Sequence, residues 1–246
     1  MSRRPRRARY AGRLLRSAAA EAAKLRTLPA AVAAALGTVG VSAALAGAVA
    51  AGDTGADAVS VVLRCVPFLQ AGPVLIGVLA AGSEYAGGQV RTTLTATPDR
   101  TAVAAGKAAA FLAAAAAVSA VALAAGLAAA WLVADGGARP TGDGLRDVAG
   151  ACGHLVLVGL FAHALAVLLR SVTAPLVAAL GLLFIASPLL EGLTEHARWL
   201  PDQAGRLLYL PDADPVLGPV SGALVLAAWA AAASTAAVAS LHLRDA

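Results

Sequence analysis

Six stretches of this chain run for about twenty residues or more without an Asp, Glu, Lys or Arg, the length that crosses a bilayer core about 30 Å thick at 1.5 Å rise per residue. They are Ala30–Gly52, Cys65–Ser83, Ala108–Ala134, Val148–Leu169, Ser171–Leu190 and Pro215–Leu243. All are continuous, rich in Ala and Leu, and lack the period-two alternation of a barrel wall. Backbone polar groups cannot be left unpaired in lipid, so helices follow. Composition points the same way: 59% of residues are hydrophobic and only 13% charged, against about 25% charged in soluble domains. Such a chain is too apolar for a water-soluble globule and for a disordered segment. The expected fold is all-α and polytopic, with transmembrane helices at about residues 30–52, 62–83, 104–134, 148–169, 171–190 and 216–241. They form one domain over 30–246, preceded by a basic arm over 1–29. Ala48-Val49-Ala50 looks like a signal-peptide cleavage site. The apolar run before it, however, is longer than the 7–15 residues of a signal core, so a retained first span is expected.

Charge sets the orientation. Nine of the 19 Lys and Arg lie within the first 26 residues. Next to an apolar run, such an arm marks a cytoplasmic flank attracted to anionic headgroups. Nucleic-acid binding is disfavoured because no recognition motif accompanies the charge. With the N-terminus inside, 14 basic residues fall on the inner side and 5 on the outer. The expected location is the cell membrane, with both termini cytoplasmic. Trp131, Trp199 and Tyr209 then fall at the outer interface and Tyr85 at the inner one, as an aromatic belt requires.

Polar residues inside the spans are few. Gln70 and Pro73 fall near the middle of the second span, where proline kinks a helix and a polar side chain should face the bundle or a cavity. These two are the candidate translocation-path residues. Gly37, Gly40, Ala44 and Gly47 offer the first span a small-residue face for close packing. His154 and His163 project from opposite faces of one helix and cannot share a metal ion. Cys65 and Cys152 have no CxxC or CxxH neighbourhood, and inert thiols are expected, although a disulfide is conceivable. Residues 191–214, the longest outer loop, carry Trp199, Leu200, Leu207, Leu208 and Tyr209, the pattern of a short interfacial or re-entrant helix.

Three catalytic readings fail on spacing. A P-loop needs Gly, four residues and then Gly-Lys-Ser/Thr. Lys24 follows Ala23, and Lys107 follows Gly106 but precedes Ala108, with Thr101 in place of the first Gly. Asp135-Gly136-Gly137-Ala138-Arg139 with Asp143 and Asp147 resembles the aspartate motif of CDP-alcohol phosphatidyltransferases. It is one residue short between Gly and Arg, however, and its later aspartates come too early; a solvated turn is the simpler reading. Ser221-Gly222 could supply a nucleophile for His154 or His163, but nothing positions them together. No catalytic residue, cofactor or metal is expected.

The informative material is cytoplasmic. Leu14, Ala18, Ala22 and Leu25 recur at helical spacing, while Arg13, Arg16, Glu21 and Lys24 are polar; this describes an amphipathic helix in the headgroup plane. After the second span, Gly87-Gly88 interrupts the helix, and Gln89–Ala96 can form a short one presenting Arg91, Thr92, Thr93 and Arg100. The sequence Glu21, Lys24, Leu25, Arg26, Thr27 resembles the Glu-x-x-Lys-Leu-Arg-Ser/Thr segment of ABC-2 type ABC transporter permeases. Glu84, Tyr85, Gly88 and Arg91, followed by Thr93-Leu94, Pro98, Arg100 and Lys107, resemble that family's Glu-Tyr-x-x-Gly-Thr-x-Arg segment. Ala22 replaces a frequent aromatic there, and Gln89 the usual Thr. The resemblance implies an exporter-like permease that forms a homodimer or heterodimer and receives its energy from a separate ATPase subunit through the loop after span two. A membrane anchor or assembly protein, and a lipid-head-group transferase, are the alternative readings.

Overall fold

A computed structural model describes the backbone of residues 18–53, 55–86, 100–134 and 142–244, and every regular element among them is helical. Helix α1 covers residues 18–27. It is followed by α2 (Pro29–Gly52), α3 (Ala58–Leu69), α4 (Ala71–Ala86), α5 (Arg100–Val133) and α6 (Gly142–Leu169). Next come α7 (Thr173–Gly181), a π turn (Leu182–Ala186), α8 (Ser187–Glu191), a 3-10 turn (Glu195–Trp199), α9 (Pro201–Arg206) and α10 (Pro219–Arg244). Six helical segments are long and apolar enough to cross a membrane: Pro29–Gly52, Ala58–Gly82, Ala105–Val133, Gly142–Leu169, Thr173–Glu191 and Pro219–Ser240.

Local chemistry explains the boundaries. Pro29 opens α2, where its missing N–H costs nothing. Asp57 caps α3 by accepting hydrogen bonds from the Val59 and Ser60 amides at 2.9 and 3.0 Å. That cap starts the second span at Ala58, ahead of the expected residue 62, and within it Arg64 sends its guanidinium back to Asp53 at 3.1 Å. α3 and α4 are one span with a single non-helical residue, Gln70. Pro73 cannot donate to Leu69, while Gln70 N–H and Val74 N–H keep their bonds to Val66 and Gln70 at 3.2 Å each. Likewise Pro188 cannot donate to Phe184, and the π turn lies beside it. Arg170 closes α6 with φ 51°, the left-handed conformation that lets the chain reverse directly into α7.

α6 is the hub, packed against α3, α4, α5, α7, α9 and α10. α2 lies along α5. One apolar cluster joins α2, α3, α5 and α6, including Val62, Val66, Leu123 and Leu155. A second joins α4, α6, α7 and α10 through Val78, Val158, Ala179 and Leu226. A third brings Leu25 of α1 against Ala31, Ile76 and Phe111. The packing face of α2 differs from the expected glycine stripe. Ala31, Thr38, Ser42, Ala46 and Ala50 are buried, whereas a Cβ on Gly37 or Gly40 would meet nothing within 4 Å and Ala44 is exposed. The reason is polar: Ser42 donates to the Ala122 carbonyl of α5 at 2.6 Å, a bond that outweighs the choice among otherwise equivalent small side chains.

Candidate functional site

A short, shielded ion pair between elements lies where α1 meets α5. Lys107 Nζ donates to Glu21 Oε1 at 2.6 Å, and the two side chains are only 12% and 13% exposed. The helical period puts Ala18, Glu21, Ala22 and Leu25 on the inward side of α1, with Leu25 buried and Arg26 exposed. Glu21, expected on the polar face, is therefore an inward anchor. Thr27 Oγ1 donates to the Ala23 and Lys24 carbonyls and closes the last turn of α1. So two positions of the expected interfacial helix, Glu21 and Leu25, are held by the bundle, and α1 is joined to the span that follows the expected coupling loop.

That loop itself falls largely outside the described residues. Gly88, Arg91, Thr92, Thr93, Leu94 and Pro98 lie within 87–99. Glu84 and Tyr85 belong to the last turns of α4, and Arg100 opens α5. The Asp135–Arg139 stretch lies outside the description too, and Asp143 is exposed on the first turn of α6.

In mid-span, Gln70 is 4% exposed and its Oε1 makes no hydrogen bond within the protein. Pro73 is buried, and its Cβ and carbonyl approach Gly159 of α6 so closely that a side chain at Gly159 would collide with them. Both expected path residues thus face the bundle. A separate apolar groove of about 180 Å³, lined by Gly37, Thr38, Val41, Phe68, Gly72 and Leu75, runs between α2 and the α3–α4 span. His163 Nδ1 lies 3.0 Å from the Gly77 carbonyl oxygen, and its ring stacks on Phe111 at 5.1 Å. Cys65 and Cys152 are free thiols.

The segment after α8 is more ordered than an interfacial turn. Its 3-10 turn and α9 fold back into the bundle, burying Ala197, Ala204, Leu207 and Tyr209. Tyr209 is therefore not part of an outer aromatic belt: it packs on the buried His154 with ring centroids 5.4 Å apart, and burial pushes its phenol pKa upward. Trp131 and Trp199 stay exposed, and Trp199 accepts at its carbonyl from Trp229 Nε1 at 2.9 Å. Two glycines allow this close seating. A Cβ at Gly150 would fall on the Leu208 carbonyl, and one at Gly205 on the His154 ring. Polar groups complete the closure. Gln203 Nε2 donates to Ser187 and Glu191 at 3.1 Å each, and Arg206 pairs with Glu191 at 2.9 Å. Asp214 accepts from the Leu217 and Val216 amides, and these bonds, with Arg198 nearby, hold its carboxyl below the usual aspartate range. Burial raises that of Asp202 instead. The apolar residues Trp199, Leu200, Leu207, Leu208 and Tyr209 marked this segment as a short interfacial or re-entrant helix, and of the two the inward-folded form is the one seen; the glycine contacts and ion pairs that seat it had no sequence signal.

Among the described residues, these features define an all-helical fold with six membrane-length apolar helices, one of them followed by a segment folded back into the bundle. Compared with models of known protein families and with curated proteins, the chain matches none.

Proposed function

We propose that this chain is the permease subunit of an ATP-driven ABC-2 type transporter, an exporter working as a homodimer or heterodimer in the cell membrane with both termini cytoplasmic. The observation that carries the reading is the pairing of Glu21 with Lys107. Glu21 belongs to the first stretch that resembles the family and Lys107 to the second, and the two stretches are 86 residues apart in the chain. Their meeting supports treating α1, the loop 84–100 and the base of α5 as one mechanical unit. In this reading α1 lies in the headgroup plane, and the loop docks on a separate ATPase through Arg91, Thr93 and Arg100. ATP-driven closure of the partner then rocks the spans around Gln70 and Pro73. Hydrolysis belongs to the partner.

The test is co-purification with a P-loop ATPase encoded beside this chain, followed by transport-coupled ATPase assays. Arg91→Glu or Thr93→Glu should weaken docking by about 2 kcal/mol, or about thirtyfold in affinity. Unchanged coupling in both variants, or no ATPase partner at all, rules the docking role out.

A further inference from the structure

The segment after α8 encloses a second cavity, of about 180 Å³, between α8, the 3-10 turn and α9. Its charged lining is Glu191, Glu195 and Asp214 against Arg198 and Arg206, with Gln203 beside them. Three carboxylates against two guanidiniums leave one net negative charge, which disfavours a simple anion. The carboxylates are also too dispersed for a metal ion: no group of three or more His, Cys, Asp or Glu residues among those described could hold one. The guanidiniums retain binding capacity. Arg198 Nε donates to the Glu195 carbonyl at 2.8 Å, but its two terminal nitrogens reach the Glu195 and Asp214 carboxylates only at 3.5 and 3.7 Å, and Arg206 Nε is buried without a hydrogen bond to the protein. A ligand that satisfies both signs carries an anionic group and a cation together.

The surroundings indicate the depth. Leu189, Leu193 and Trp199 are exposed and lie within two residues in sequence of the lining residues Glu191, Thr194 and Arg198, apolar side chains with an interfacial tryptophan near a charged pocket, as at a membrane–water boundary. No aromatic ring lines the pocket, so it offers no cage for a quaternary ammonium. Its carboxylates suit a primary ammonium, which has three N–H donors. The geometry points to a binding site for a zwitterion that joins a phosphate to a primary ammonium: the phosphate on Arg198 and Arg206, the ammonium on Glu195 and its neighbours. The site is independent of the transport reading and of which side of the membrane the segment faces.

The test is native mass spectrometry of the full chain in mild detergent, titrated with short-chain phosphatidylethanolamine, phosphatidylcholine and phosphatidylglycerol. The ethanolamine lipid should bind about fivefold tighter than either of the others, the size of one partly exposed ionic contact. Phosphatidylcholine tests the N–H donors and phosphatidylglycerol the positive charge. The Glu195 side chain is 90% exposed, so Glu195→Gln should fold normally and abolish the preference. Arg198→Gln should weaken all three lipids together and leave their order intact. Competition by soluble phosphoethanolamine supports the site and adds a free zwitterion as ligand; a retained preference without competition supports it with the lipid as source. Equal binding of the three lipids, or an undiminished preference in Glu195→Gln, overturns it.

Discussion

At one end of the bundle the chain closes on itself by close backbone approach: α9 sits against His154 and the Leu208 carbonyl against Gly150, with Tyr209 buried beneath. At the other end the link between α1 and α5 combines the buried Leu25 with one shielded ion pair, Glu21 with Lys107. Packing of the first kind is intolerant of added volume, because interiors have few voids and their atoms cannot withdraw. A shielded ion pair is tolerant of volume but intolerant of losing one partner, since the remaining charge stays out of water. The first kind builds a rigid lid; the second builds a joint that can re-form after movement.

Three measurements can break or sharpen that contrast. The largest effect is expected at the lid. Gly205→Val places methyl groups on the His154 ring and should cost about 3 kcal/mol or more, read as a lowered melting temperature in detergent. A variant as stable as the parent would show that the lid gives way and is not rigid. Next comes the joint. Lys107→Met should cost about 2–3 kcal/mol by stranding Glu21, while Glu21→Gln added to it should restore most of the loss, a double-mutant cycle with strong coupling. Additive losses would mean that the pair does not fasten α1.

The smallest effect is the lid's pH dependence. Burial holds the Asp202 carboxyl above the ordinary value of 3.8, so the folded chain binds that proton more readily than the unfolded one. Its favourable contribution is complete below pH 3.8 and is lost as pH rises through the folded value. Asp202→Asn should therefore flatten melting temperature against pH on the alkaline side of 3.8; an unaltered slope would place the carboxyl in water.

Hydropathy reveals the spans because a bilayer converts apolar run length directly into a helix that crosses it. It reveals much less about which faces meet. α2 is apolar nearly all round, so glycine spacing offered Gly37 and Gly40 as readily as the buried Thr38 and Ser42; the deciding hydrogen bond to Ala122 depends on a helix 80 residues away. Tyr209 read as a belt residue because its position in sequence is interfacial, and only the inward turn of α9 buries it. Asp57, by contrast, caps α3 through partners only two and three residues on, a local signal that the expected start at residue 62 passed over. The loop 84–100 rests on resemblance alone, because the recognition it implies involves a second protein.

The wide sequence gap between Glu21 and Lys107 has a consequence for biogenesis. At ribosomal speeds of about 5–20 residues per second, the 86 residues between them take roughly 4–17 s to emerge. For that interval Glu21 is without the lysine it meets in the folded bundle, and the insertion machinery must deliver two complete spans and begin a third before that pair can form. The joint is thus assembled late, and truncation anywhere before residue 107 would leave a nascent chain in which α1 has no ion pair to the third span.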